Sequence, residues 1–263
     1  MPLLHEGERV KGAIFLIEKE LSKAKRYKFF IAMRFTWFAV QVAVFGVVMS
    51  RMVTISRFYD FYLVGVYSSI LFTLSVYISY EILEEAEDGL FEYFLSLPMG
   101  RWEFVMGRSV GCAISSLTYT IPMLLLVLLL LGNLNPFSVA LALLSSLLFA
   151  IGISGIVITF VSLVKSSDVS DIIFGAVDAI LVRLSTAMYP LSAMPSYYKL
   201  PSIANPITHL AEFLRYILSP DIFSYTCFEP PGSAIAFLLG FSVSAFMIGI
   251  LLFERKVEGG GWR

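Results

Sequence analysis

The sequence predicts an all-α integral membrane protein: six transmembrane helices, an N-terminal amphipathic interfacial helix, a short cytoplasmic helix between spans 2 and 3, and a short re-entrant or amphipathic outer helix before span 6. Three observations lead there. The chain is 58% hydrophobic and 15% charged, with a mean hydropathy of +0.82. A soluble domain carries about a quarter charged residues and needs them to coat its core. Residues 61–80, 109–164 and 230–253 contain no Asp, Glu, Lys or Arg, and about 20 apolar residues cross the hydrocarbon core. Finally, with the N-terminus inside, only Arg51, Arg57, Lys199 and Arg215 among the loop cations fall on the outer side. That asymmetry sets both termini in the cytoplasm.

The elements follow in order within a single domain, 1–263. Residues 10–28 place Val10, Ala13, Ile14, Ile17, Leu21 and Ala24 on one helical stripe opposite a Lys/Arg-rich face, the pattern of a helix lying on anionic headgroups. No cleavable leader is visible, so the first span, 30–49, is expected to act as the insertion signal. It carries Arg34 near its start, where a long side chain can snorkel. Span 2 is 61–80. Residues 109–164 are long enough for two spans, 109–131 and 138–164, split by the turn formers Gly132-Asn133-Leu134-Asn135-Pro136. Span 5, 172–189, contains Asp178 and Arg183. Residues 205–219 form the outer helix: Asn205 is its N-cap and Pro206 its first residue, with an apolar face opposite His209, Glu212 and Arg215. Span 6 is 230–253.

The connection between spans 2 and 3 is longer than a turn requires. It opens on Glu84, Glu85, Glu87 and Asp88, bends at Gly89, and continues through two helical turns, 90–97, stopped by Pro98-Met99-Gly100. Leu90, Phe91, Phe94, Leu95 and Leu97 make this helix apolar, and a helix so short has no stability of its own in water. Either it lies on the bilayer or a cytoplasmic partner accepts it in a groove. The flanking acids, with Glu92, favour the partner over an anionic leaflet.

Several chemistries are excluded. A net charge of −1 supplies no footprint for nucleic acid. There is no G-x-x-x-x-G-K-[ST] phosphate loop, and His5 and His209 form no H-E-x-x-H site. Cys112 and Cys227 fall in unlike segments and are read as unrelated thiols. Asp168 and Asp171 read as solvated loop acids. Asp178 and Arg183 lie about 140° apart around a helix, so each is expected to pair elsewhere; packing partners and a substrate path both remain open. Phe72, Tyr77 and Tyr80 are candidate aromatics for an apolar binding surface.

Gly89, Phe91-Glu92, Leu95-Ser96-Leu97-Pro98, Arg101 and Gly107-Arg108, with Tyr189-Pro190, Pro195, Asn205-Pro206 and Arg215 further on, resemble the two recurrent regions of ABC-2-type permeases, the membrane subunits of ATP-driven exporters. The resemblance covers the whole chain. It implies that 89–98 is a coupling helix docked on a nucleotide-binding ATPase subunit through Gly89, Leu90, Phe91, Glu92, Phe94, Leu95, Leu97, Pro98 and Arg101. It implies a re-entrant outer segment around Pro190, Pro195, Asn205, Pro206 and Arg215, and a second permease, a copy of the chain or a sister protein. It implies export across the cell membrane, with no catalysis, metal or cofactor in this chain and ATP and Mg in the partner. The alternative is an ion- or proton-coupled transporter or channel that works without an ATPase, with Asp178 carrying the ion.

Overall fold

The computed structural model describes residues 6–89, 100–161, 164, 166–222 and 228–258. Among them the helices are α1 (Glu6–Arg26), α2 (Lys28–Met52), α3 (Phe58–Glu87), α4 (Arg101–Leu131), α5 (Pro136–Val161), α6 (Ser167–Arg183), α7 (Ser196–Ile203), α8 (Pro206–Leu218) and α9 (Pro231–Glu258), with no strand. Five of the described helices, α2, α3, α4, α5 and α9, are long and apolar enough to cross a membrane. The core is built around α3, whose most apolar stretch is 83% buried, against 17% for α2 and 22% for α9. A helix that is apolar all round belongs inside; the outer pair expose Trp37, Phe45, Val243 and Leu251.

Small and hydroxylated residues set how closely these helices pack. Ser68 and Ser69 turn their hydroxyls back to the carbonyls of Val64 and Gly65, so α3 buries them at little cost. Tyr67 donates to Ser146 at 3.1 Å and Ser79 to Ser154 at 2.8 Å, tying α3 to α5. Where α5 meets α9, a Cβ on Gly155 would lie 3.0 Å from the backbone of Phe246. In lipid, such close backbone approach replaces the hydrophobic force that drives packing in water.

The turn between α4 and α5 is tight. Gly132 ends α4 at φ 69°, and the Asn133 side chain donates to the carbonyls of Ile217 and Leu218 at the end of α8. Those carbonyls have no partner within their own helix.

Three expectations are corrected. The segment expected to span over 172–189 is a helix of 17 residues, Ser167–Arg183, about 26 Å long at 1.5 Å per residue and short of a roughly 30 Å core. Residues 184–190 leave the helix because their carbonyls are needed elsewhere, as described below. Second, α4 begins at Arg101, well ahead of the expected 109, because the Glu103 carboxylate accepts from the Gly100 amide at 2.8 Å and starts the helix there. Third, α8 does not lie with its polar face outward. Helix α1 packs along α4, and α8 is enclosed with Thr208, His209, Glu212 and Arg215 all buried.

Candidate functional site: buried charge at both ends of the bundle

At the end of the bundle where α4 begins, α1 crosses α4 at Gly107 and Gly111. A Cβ on Gly107 would sit 3.0 Å from the backbone of Ala13, and one on Gly111 would sit 3.1 Å from the Glu20 side chain. This four-residue glycine spacing is a sequence signal for close helix crossing. The crossing brings Arg108, fully buried, onto Glu20, also buried. Arg108 Nη2 lies 3.2 Å from Glu85 Oε2 near the end of α3. Lys19 and Lys23 of α1 turn the same way: Lys19 Nζ donates to Glu85 at 2.8 Å, and Lys23 Nζ to Glu85 at 2.5 Å and to Glu81 at 3.2 Å. Three acids thus face three bases across α1, α3 and α4.

The two lysines differ in their surroundings. Burial, with Arg108 close by, pushes Lys19 below its ordinary value. Burial opposes the charge of Lys23 as well, but Glu20 and Glu85 outweigh it and hold that lysine above its ordinary value. Lys19 and Lys23 of α1 therefore meet acids of the protein.

Glu87 closes the same end. Its carboxylate accepts from the amide (2.7 Å) and the hydroxyl of Ser167, the first residue of α6. These bonds hold its pKa below the usual carboxylate range and satisfy an amide that α6 cannot pair internally. A folded value below the unfolded one gives stability that is present at neutral pH and lost as pH falls through the folded value. Amide exchange in the first turn of α6, corrected for intrinsic rates, is expected to quicken on acidification in the wild type. In Glu87→Gln it should be fast already at neutral pH; equal protection in both proteins would dismiss the cap.

At the opposite end, Arg215 is fully buried against Glu212, with Nη1 at 3.2 Å from Oε1. Its Nη2 donates to the carbonyls of Thr186 (2.9 Å), Ala187 (3.1 Å) and Phe61 (3.3 Å), and the guanidinium lies 3.5 Å from the Phe61 ring centroid. Thr186 Oγ1 donates to Glu212, and the Thr186 amide to Thr208. So residues 184–190 are shaped by Arg215: their carbonyls solvate a buried cation, which a continuing helix could not do. Gly65 of α3 leaves room for this segment; a Cβ there would fall 1.6 Å from the Ala187 carbonyl oxygen.

The other expected residues distribute as follows. Leu90, Phe91, Glu92, Phe94, Leu95, Leu97 and Pro98 lie outside the described residues. Gly89 turns at φ 75° just after α3, a conformation open to glycine. Arg101 is the first residue of α4. Asn205 accepts from the Ile207 amide at 3.0 Å and donates to the Leu181 carbonyl at 2.6 Å, joining α8 to α6. Pro206 opens α8, Pro190 precedes a single 3-10 turn and Pro195 precedes α7. Asp178 accepts from Thr73 at 2.6 Å, whereas Arg183 donates to Ala179 on its own helix; the two do not bond each other. Glu20, Thr186 and Gly65 were not singled out by sequence, while Glu85 and Glu212 were noted as acids but not as partners of Arg108 and Arg215.

The fold places the chain among multi-pass α-helical membrane proteins, with buried charge fastening connecting segments to the ends of its spans. Residues 13–219 match the model of the family described as ABC-2 type transporter, and the chain belongs to that family: it is an ABC-2-type permease. The match runs from α1 to the end of α8, so it contains both charge nodes. No curated protein matches the chain. Permeases of this family are the membrane components of transporters and in general associate with an ABC ATPase and with a second permease.

Proposed function

We propose that this permease moves its substrate outward across the cell membrane, driven by ATP hydrolysis in a separate nucleotide-binding subunit that docks on residues 89–98. ATP and Mg are held by that subunit, both termini of the permease lie in the cytoplasm, and the partner permease is a second copy of this chain. The Arg108 node carries the proposal. Glu85 stands just before the 90–99 segment and Arg108 just after it, and both are bonded into one cluster with α1. A displacement of the segment is therefore passed to α1, α3 and α4 as one body, as rigid-body switching requires.

The rival, an ion-coupled carrier using Asp178, needs no ATPase. A C-terminally tagged chain purified from its native membrane is expected to bring an ATPase with it. Phe94→Asp should lose that activity at unchanged yield of folded permease, because a carboxylate is expelled from an apolar groove. A wild-type chain that comes out alone and transports in liposomes without ATP would refute export by this route.

A further inference from the structure

A cavity of about 340 Å³ opens at the Arg108 end of the bundle, between the α1–α2 junction, α3 and α4. Its walls combine two kinds of side chain. Tyr27, Phe30, Tyr77 and Tyr119 supply rings; Phe30 stacks on Tyr77 at 6.1 Å and meets Tyr119 edge-on at 5.8 Å. Along the other wall stand Glu81, Glu84 and Glu85 on one face of α3, with Asp88 just past its end. Lys23 is the one basic lining residue among those described, and it is bonded to Glu81 and Glu85. Once Lys19, Lys23 and Arg108 have been set against Glu20, Glu81 and Glu85, Glu84 and Asp88 retain no ion-pair partner among the described residues.

Two further observations point to an occupant. Arg34 of α2 already rests its guanidinium on these rings, 4.9 Å from the Phe30 centroid and 5.8 Å from that of Tyr77. The aromatic surface therefore accepts a cation, here a tethered one. At the deep end, a small cavity of about 10 Å³ shares Lys23, Tyr27, Glu81 and Tyr119 with the first and reaches Ser115. The Ser115 hydroxyl is 2% exposed and has no hydrogen-bond partner, and the space admits a hydrogen-bonding group about the size of a water.

We propose that this cavity binds an organic cation, with its positive centre held by Glu84, Asp88 and Glu81 and its hydrocarbon body by Tyr27, Phe30 and Tyr77. Rings supply a negative π-face to a cation, and the exposed carboxylates of Glu84 and Asp88 at the rim add charge attraction. A free metal ion has no use for four rings, and an anion meets four carboxylates. The site lies beside Asp88 and Gly89, at the root of the segment that carries the coupling residues. Its occupancy does not depend on ATP-driven export.

The test is equilibrium dialysis of radiolabelled tetraphenylphosphonium against the purified full-length chain in phosphatidylcholine nanodiscs, with tetraphenylborate as the matched anion. The wild type is expected to show one saturable site for the cation and none for the anion. Glu84→Gln with Asp88→Asn should weaken the cation by about tenfold, and Tyr77→Ala by a few-fold to tenfold. Neither acid is paired, so the charge cluster beneath them stays intact in the double variant. Arg34→Gln, which frees the rings, should tighten binding, a gain that misfolding cannot imitate. No saturable cation binding, equal binding of the borate, or affinities unchanged in all three variants would each overturn the proposal. Loss of ATPase co-purification would sink the export reading and leave this site untouched.

Discussion

Alanine at Gly65 is expected to be the most damaging single methyl in this chain. The new Cβ would fall 1.6 Å from the carbonyl oxygen and 2.5 Å from the carbonyl carbon of Ala187. Both are backbone atoms, so no side-chain rotation relieves the clash. The Ala187 carbonyl also solvates Arg215, whose other partners are Thr186, Phe61 and Glu212. Pushing the segment away removes acceptors from a fully buried guanidinium. Overpacking alone costs about 1–3 kcal/mol, and uncovering a buried ion pair adds to it; a loss above ~3 kcal/mol is expected. Thermal unfolding in detergent, followed by size-exclusion recovery, reads this directly. Gly240→Ala is the control, since nothing lies within 4 Å of its Cβ position and a helical alanine is favoured there. A Gly65→Ala protein melting with the wild type would show that residues 184–190 do not cross α3 as described.

The second large effect belongs to Arg108. Replacing it with Met keeps much of the volume but takes the nearest cation from Glu20, 1% exposed, and leaves it Lys23 at 3.7 Å and Lys19 at 4.0 Å, while Glu85 keeps both lysines. Breaking a buried pair from one side costs about 3–5 kcal/mol, because the remaining charge stays buried. Pairing the change with Glu20→Gln removes that carboxylate and should recover a substantial part of the loss. That recovery separates charge from shape: a purely steric fault would leave the double variant as unstable as the single one. Arg108→Lys should fall between, since an ammonium cannot reach Glu20 and Glu85 with the planar fork. If Arg108→Met melts with the wild type, the node contributes nothing to stability.

Much of the architecture was legible because lipid imposes a simple length rule. Charge-free runs located α3, α4, α5 and α9, and Gly132-Asn133 located the turn that caps both α4 and α8. The errors share a cause. A helical stripe shows that one face is apolar, but not whether the opposite face meets water, headgroups or buried counter-charges. For α1 the partners of Lys19 and Lys23 lie on α3, 58 to 66 residues away. For α8, the polar face that resembles a solvated one is the side that holds Thr186 and Ala187. Span 5 was overdrawn for the same reason, since its apolar run continues past Arg183 while the backbone is diverted to Arg215. Gly107-x-x-x-Gly111 was within reach of sequence reasoning and predicts the α1–α4 crossing. Gly65 was not, because a glycine inside a span does not announce which backbone passes over it.

The distance along the chain between Glu20 and Arg108, 88 residues, has a consequence for biosynthesis. A ribosome adding roughly 5–20 residues per second needs about 4–18 s to travel from one to the other. During that interval α1 has been made, but the helix it must dock against has not. It has to wait somewhere with Lys19, Glu20 and Lys23 solvated and its apolar side covered, and the membrane surface is the place that allows both. The amphipathic pattern of α1 suits that wait, which ends when Arg108 arrives to pair with Glu20.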